Sequence, residues 1–411
     1  MKKFFIFCIA VFQLSLAYGD TKVNINGIYY YLTPEKVGTA EVTRGASEYS
    51  GAIVIPETIE YNNFTYIVTS IGLDAFSLSK ITSIDIPSTV TFIDNYAFDG
   101  CTEINEVKIH SLQSWCSIKF KSNPLIYAKS LLLNGEIINE LVIPEDISKI
   151  SNYAFYDYKS LTSVKIPKNI KAIGEYAFSK CSSLNTVQIE ESVDTIYSYA
   201  FSDCTSLSDV KLSNTPIIRN YVFSGCTALS SLTLPENIQA VGYGLCYNCK
   251  SLLSINIPNN VLAIGDDAFY GCEKLKTIYI SESVLAMGTR SFGYCENITD
   301  VYCYATTPPV HLSKYYKKGI SDFFLNSYIN YATLHVPNES IDKYKGAFSW
   351  SDFGNVVALT EQETGINSIG ITADDSNAAI YNLRGQKQES LQKGINIIKM
   401  GNGQTKKIFI K

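Results

Sequence analysis

Leucine, valine and isoleucine recur along this chain in one short arrangement, Leu-x-x-Val-x-Ile, followed by a turn and an Ala-Phe step. Leu161, Val164 and Ile166 are answered by Leu184, Val187 and Ile189, and later by Leu252, Ile255, Ile257 and by Leu275, Ile278, Ile280. Successive copies are offset by 23 residues, as from Leu161 to Leu184. Within each copy apolar and polar positions alternate, the period of a strand with one buried face. A unit this short cannot close a core alone, but copies stacked on one another bury a continuous one. The pattern therefore predicts a β-rich α/β solenoid of about 23 residues per coil. It also moves the functional expectation from catalysis toward binding.

Ala-Phe steps or their equivalents fall at 75, 97, 154, 177, 200, 222, 245, 268 and 291. The long interval between 97 and 154 predicts an irregular coil over residues 110–140. Leu131 to Ile137 there reads as strand, Asn-Gly turn and strand. The solenoid is expected over residues 71–359, with a helix from Glu339 to Phe348 near its end. Residues 20–70 read as an N-terminal β cap, opened by a hairpin around Asn26-Gly27. Residues 360–411 read as a small C-terminal β tail domain, a sorting or surface module, with short alternating runs and glycine turns. Residues 1–19 read as an export signal: Lys2 and Lys3, an apolar stretch from Phe4 to Leu16, then Ala17 and Gly19 at the cleavage region. The apolar stretch is too short to span a membrane, and no later run is longer. An extracellular or cell-surface protein is expected.

The residues between the apolar positions of each strand face outward and form two columns. One column runs through Ser83, Glu106, Ser163, Thr186, Asp209, Ser231, Ser254, Thr277 and Asp300. The other carries Lys108, Lys165 and Lys211 in its first half and Tyr279 and Tyr302 toward its end, with Tyr304 extending the patch. Tyrosines adjacent on a rigid sheet offer large contact area at low entropy cost. These six lysines and tyrosines are the candidate binding residues. The same columns are also what a solvated strand face with cross-strand packing would look like. A second candidate surface is the irregular coil around Trp115, Phe120 and Tyr127.

Composition adds exclusions. The 411 residues are 46% hydrophobic and 18% charged, an ordered chain. Its net charge of −5 argues against a nucleic-acid partner. Eleven cysteines in an exported chain would ordinarily suggest disulfides. Cys101, Cys181, Cys204, Cys226, Cys249, Cys272 and Cys295, however, share one slot in the repeat. Stacked coils would hold their Cβ atoms about 4.8 Å apart, wider than the ~3.8 Å a disulfide prefers. A ladder of small buried thiols is expected, and Cys246-x-x-Cys249 is a coincidence of that register. The only histidines are His110, His311 and His335, and His335 should face outward. No catalytic, metal or cofactor pattern is present, so neither an enzyme nor a cofactor is expected.

The run Ile-Pro-x-x-Val/Ile-x-x-Ile-Gly-x-x-Ala-Phe-x-x-Cys, as in Ile166 to Cys181 and Ile257 to Cys272, resembles the BspA-like leucine-rich-repeat proteins of host-associated anaerobic bacteria. Leu334 to Pro337 with Tyr344, Trp350 and Phe353 is similar to the final coil of that family. The resemblance implies an exported or surface-displayed binding protein that adheres to host matrix proteins or cells. It brings no catalytic residue and no ligand motif. The alternative is a carbohydrate-binding or structural cell-envelope module, with glycans as partners.

Overall fold

The computed structural model describes residues 21–33, 38–190, 193–212, 214–313, 315, 317, 319–320, 322–360, 363, 379–382, 387–388, 394–399 and 405–410. The export signal expected over 1–19 lies outside the described residues.

Strands β1 (Thr21–Ile25) and β2 (Ile28–Thr33) form an antiparallel hairpin. Its turn residues Asn26 and Gly27 have φ of 52° and 86°, the left-handed pair that a two-residue hairpin turn demands. β3 (Gly38–Thr43) pairs antiparallel with β2. The next strands are β4 (Ser50–Val54), β5 (Thr58–Tyr61), β6 (Phe64–Ile71) and β7 (Lys80–Ile86). β3 pairs in parallel with β6, and β4 in parallel with β7. Residues 21–71 thus feed strands directly into both ladders of the coils.

Most of the following coils contribute a long strand and a short one. Val164 stands opposite Val187, and Val187 opposite Val210, in parallel register along the long strands. Ile150, Ile173, Ile196 and Ile218 do the same along the short strands. The long-strand ladder is interrupted at residues 231–234, where no pairing forms although Leu232 and Leu234 stay buried. It resumes at Ser254–Ile257 and runs through Thr277–Ile280, Asp300–Cys303 and Thr333–Val336 to Asn355–Ala358. Strands dominate, and the α-helices among the described residues are short: α1 (Leu112–Ser117) and α2 (Ile341–Lys345). The helix expected over 339–348 is therefore shorter, preceded by a 3-10 turn at Asn338–Ser340.

Phenylalanine fills the centre. Phe155, Phe178 and Phe201 are fully buried and stack face to face at 5.2 Å per step. The turn that carries them is locked to its neighbour by backbone: the Phe155 amide donates to Ala177 O (2.8 Å) and the Phe178 amide to Ala200 O (2.8 Å). The ladder thiols do more than fill space. Cys181 Sγ donates to Phe155 O and Cys204 Sγ to Phe178 O, each at 3.1 Å, so each thiol also bonds the preceding coil. All described cysteines are free and buried. Burial pushes Cys101 up to about 11 and Cys116 up to about 12, and raises Cys204 well above its ordinary value. Since only the thiolate is nucleophilic, the folded chain should leave these cysteines unlabelled by a maleimide at pH 8. Full labelling after denaturation, counted by mass spectrometry, is the expected complement. Rapid labelling of the native chain would contradict the ladder.

The irregular coil is built around Trp115. Ser111 caps α1 by accepting from the Ser114 amide (3.1 Å), and Trp115 Nε1 donates to Ala154 O (2.9 Å). Asn134 and Gly135 form the expected hairpin turn. At the far end, Tyr344 and Trp350 are fully buried, donating to Ala305 O (2.8 Å) and Pro309 O (3.1 Å). They close the last coils with aromatic area, as a solenoid end requires. The described parts of the tail form a four-stranded sheet in the order 387–388, 379–382, 394–399, 405–410.

Candidate functional site

The outward column predicted on the long strands is real, and its two halves differ. Lys165 and Lys211 line one shallow depression of about 320 Å³ together with Glu140, Gln188 and Asp209. Lys165 Nζ lies 3.2 Å from Glu190 Oε1. The mixed charge makes this a polar surface rather than a basic one. Lys108 is not part of it, because its strand belongs to the preceding sheet, where it lies 3.3 Å from Glu106. The column loses its ladder at Ser231 and Thr233, which separates the lysine half from the tyrosine half.

The structure brings the tyrosines together. Register places Tyr279 opposite Tyr302 and Tyr302 opposite His335. Tyr279 and Tyr302 stack at 4.9 Å, and Tyr302 and His335 at 4.2 Å. Tyr279 is exposed, whereas Tyr302 has a ring on each face. Tyr304 leaves the stack and is half-buried; burial, then the neighbouring Tyr279, Glu363 and Tyr302, push its phenol up to about 12.

His335 occupies an outward strand position but is largely covered, with 14% of its side chain exposed. Its Nε2 is 3.0 Å from Asp300 Oδ1, and its Nδ1 is 3.5 Å from Glu363 Oε1, ion-pair range but long for a hydrogen bond. Glu363 was invisible as a site residue because it comes from beyond the repeat. Its Oε2 accepts from the Thr360 amide (2.7 Å), while Thr360 Oγ1 accepts from the Glu363 amide (3.3 Å). This reciprocal pair holds Glu363 in place beside His335.

Burial raises the Glu363 carboxyl, but the Thr360 amide and hydroxyl, the His335 ring and the Tyr302 hydroxyl outweigh it and hold it below its ordinary value. A depressed carboxylate stabilises its contacts above its unfolded pKa, and the gain disappears as pH falls through the lower folded value. The contacts between Thr360 and Glu363 should therefore persist from neutrality down into the ordinary carboxylate range and release only below it. Titration of the Glu363 side-chain carbon by NMR checks this, and a midpoint above about 4.3 would be inconsistent with these contacts.

The surface expected around the irregular coil is corrected. Trp115 and Phe120 are buried and pack on each other at 4.9 Å, so they belong to the core. Tyr127 is half-buried, and its hydroxyl accepts from the Gly100 amide (3.0 Å).

A second aromatic array went unforeseen. Tyr153, Tyr176, Tyr199 and Tyr221, each just before an Ala-Phe or Val-Phe step, stack at 5.0, 4.7 and 5.0 Å. All four have φ between 54° and 62°. The left-handed conformation costs a bulky residue about 1–2 kcal/mol. An aromatic pair contributes about 0.5–1.5 kcal/mol beyond area burial. The two magnitudes match, so this array reads as a packing spine along the turns. Its signal, Tyr one residue before the steps at 154, 177, 200 and 222, was present in the sequence.

Among the described residues, no cluster of three or more His, Cys, Asp or Glu is arranged to hold a metal. Nor is any described helix long and apolar enough to cross a membrane.

Parallel coils of this period, with inward Leu-Val-Ile and a buried Phe-Cys spine, define a leucine-rich-repeat solenoid. The BspA type leucine rich repeat region matches residues 57–131, 129–217 and 213–318, and the chain belongs to that family. Comparison with curated proteins returns no match. A leucine rich cell surface protein of Faecalibacterium prausnitzii A2-165 is 22% identical over 73% of this chain and 97% of its own, with a TM-score of 0.36. A leucine-rich repeat protein of Bacteroides ovatus is 22% identical over 82% of this chain and 100% of its own, with a TM-score of 0.41. The pneumococcal vaccine antigen PcpA is 15% identical over 83% and 99%, with a TM-score of 0.43.

Proposed function

We propose that this chain is an exported or cell-surface binding protein, an adhesin that holds an extracellular host protein on the tyrosine end of its long-strand sheet. The observation that carries the reading is the exposed Tyr279, backed by Tyr302 and His335 on consecutive, rigidly paired strands. An anchor fixed in this way loses little freedom on binding, and its phenol supplies both apolar area and a hydrogen-bonding tip. The apolar, positively started residues 1–19 support export. A protein ligand is favoured over a glycan because rings cover both faces of Tyr302, which leaves a sugar at most the outer face of Tyr279. A solenoid ladder is typically a binding scaffold rather than a catalytic cleft, which supports a non-enzymatic reading.

Retention of labelled host extracellular-matrix proteins by the purified chain, run beside a glycan array, tests the reading. Saturable capture of a matrix protein is expected. Capture of glycans alone would transfer the face to the carbohydrate alternative.

A further inference from the structure

The two sheets begin differently at the N-terminal end of the solenoid. On the short-strand side, β6 is covered by β3, β2 and β1 in turn. On the long-strand side, β4 pairs with β7 and ends its sheet, with no described strand beyond it. The Ile55 amide reaches Asp85 O (3.0 Å) on the β7 side. Amides alternate direction along a strand, so those of Val54 and Ala52 point away from β7, toward the open edge. Val54 is 64% exposed, and Ile53, in register with the fully buried Ile84, is only partly covered.

Sheets ordinarily protect such an edge with charge, proline or a cover. β1, the other terminal strand of the cap, carries Lys22, whose ammonium lies 5.3 Å from the Tyr29 ring centre. The β4 sequence Ser-Gly-Ala-Ile-Val has no charge and no proline. Its one irregularity, the register shift between Gly51 and Ala52, leaves Ala52 to Val54 regular. Beside this edge runs a groove of about 460 Å³, walled by the β1–β2 turn and the Ser47–Tyr49 segment. That wall is fixed: the Tyr29 amide donates to the Tyr49 hydroxyl (3.0 Å), which donates to Thr43 O (2.8 Å).

We propose that this groove binds an extended segment of another polypeptide, which adds to β4 as a further strand. An unpaired strand edge is matched by a peptide backbone and by little else, and main-chain bonds with alternate side-chain contacts are how such edges recognise ligands. The walls beside Ile28 and Ile53 select apolar side chains at alternate positions. Glu48, the one carboxylate of the lining, selects a lysine or arginine next to them. This site lies on a different sheet from Tyr279 and acts independently of it.

The probe is a fluorescein-labelled heptapeptide with the sequence of Lys80–Ile86, the strand that β4 already accepts on its inner side. Saturable binding to the full chain, read by fluorescence anisotropy, is expected. Val54→Pro removes the outward amide at a position where an edge strand tolerates proline, and should weaken binding at least tenfold with unchanged melting. If that variant melts lower, a probe N-methylated at alternate amides decides the matter on the unmodified chain, with the same tenfold loss expected. No saturable binding, or equal binding with the blocked amides, overturns the proposal. Self-association of the chain alone that Val54→Pro abolishes would also overturn it, by giving the edge to a second copy.

Discussion

Phe201→Ala should destabilise the solenoid by about 3–5 kcal/mol, the usual cost of emptying a buried aromatic site. Phe201 lies between Phe178 at 5.2 Å and Phe223 at 5.9 Å, so both flanking coils lose a partner. Coils are held mainly by their nearest neighbours, and the loss is concentrated at one junction of the array. Denaturant unfolding should then separate into two transitions where the parent chain shows one broad, coupled transition. Cys204→Ala, three residues away in the same turn, should cost only about 1–2 kcal/mol: a small volume and one weak bond to Phe178 O. Equal losses for the two variants would mean that the phenylalanine column is not the spine of the fold.

The second large effect is on binding. Tyr279→Ala with Tyr302→Ala should weaken capture of a matrix-protein ligand by at least about thirtyfold, since one truncated anchor typically costs about 2 kcal/mol. The folding cost should be small for Tyr279, which is exposed, and larger for Tyr302, which is stacked between two rings. The single Tyr279→Ala variant therefore separates recognition from stability. Unchanged affinity of Tyr279→Ala at unchanged melting, with no further loss in the double variant, would clear the tyrosine end of a binding role.

The repeat made most of this architecture readable. Inward Leu, Val and Ile, the buried Phe and the Cys slot each follow from one period, because every coil faces the same neighbours. What the period could not supply lies where neighbours change. Helix α1 and the short strand Lys119–Phe120 of the irregular coil turn Trp115 and Phe120 inward, where the sequence suggested a surface. The ladder breaks at Ser231 and Thr233 although the inward Leu232 and Leu234 keep the pattern; apolar spacing reports burial and does not report strand pairing. Glu363 joins His335 from outside the repeat, so no internal alignment could pair them. The Tyr153 to Tyr221 array was visible as sequence, but its left-handed backbone and stacking depend on the turn geometry. Of the candidate site, the Tyr279–Tyr302 pair was legible from the register alone, whereas its cover was not.

Hydroxyl-radical footprinting of the tyrosines, with and without a captured matrix protein, tests the central claim most directly. It reads both aromatic arrays in one experiment. The account predicts that the ligand protects Tyr279 from oxidation and leaves Tyr176 and Tyr199 as reactive as in the free chain. Protection along Tyr153, Tyr176, Tyr199 and Tyr221 with Tyr279 unchanged would contradict it and move recognition to the turns.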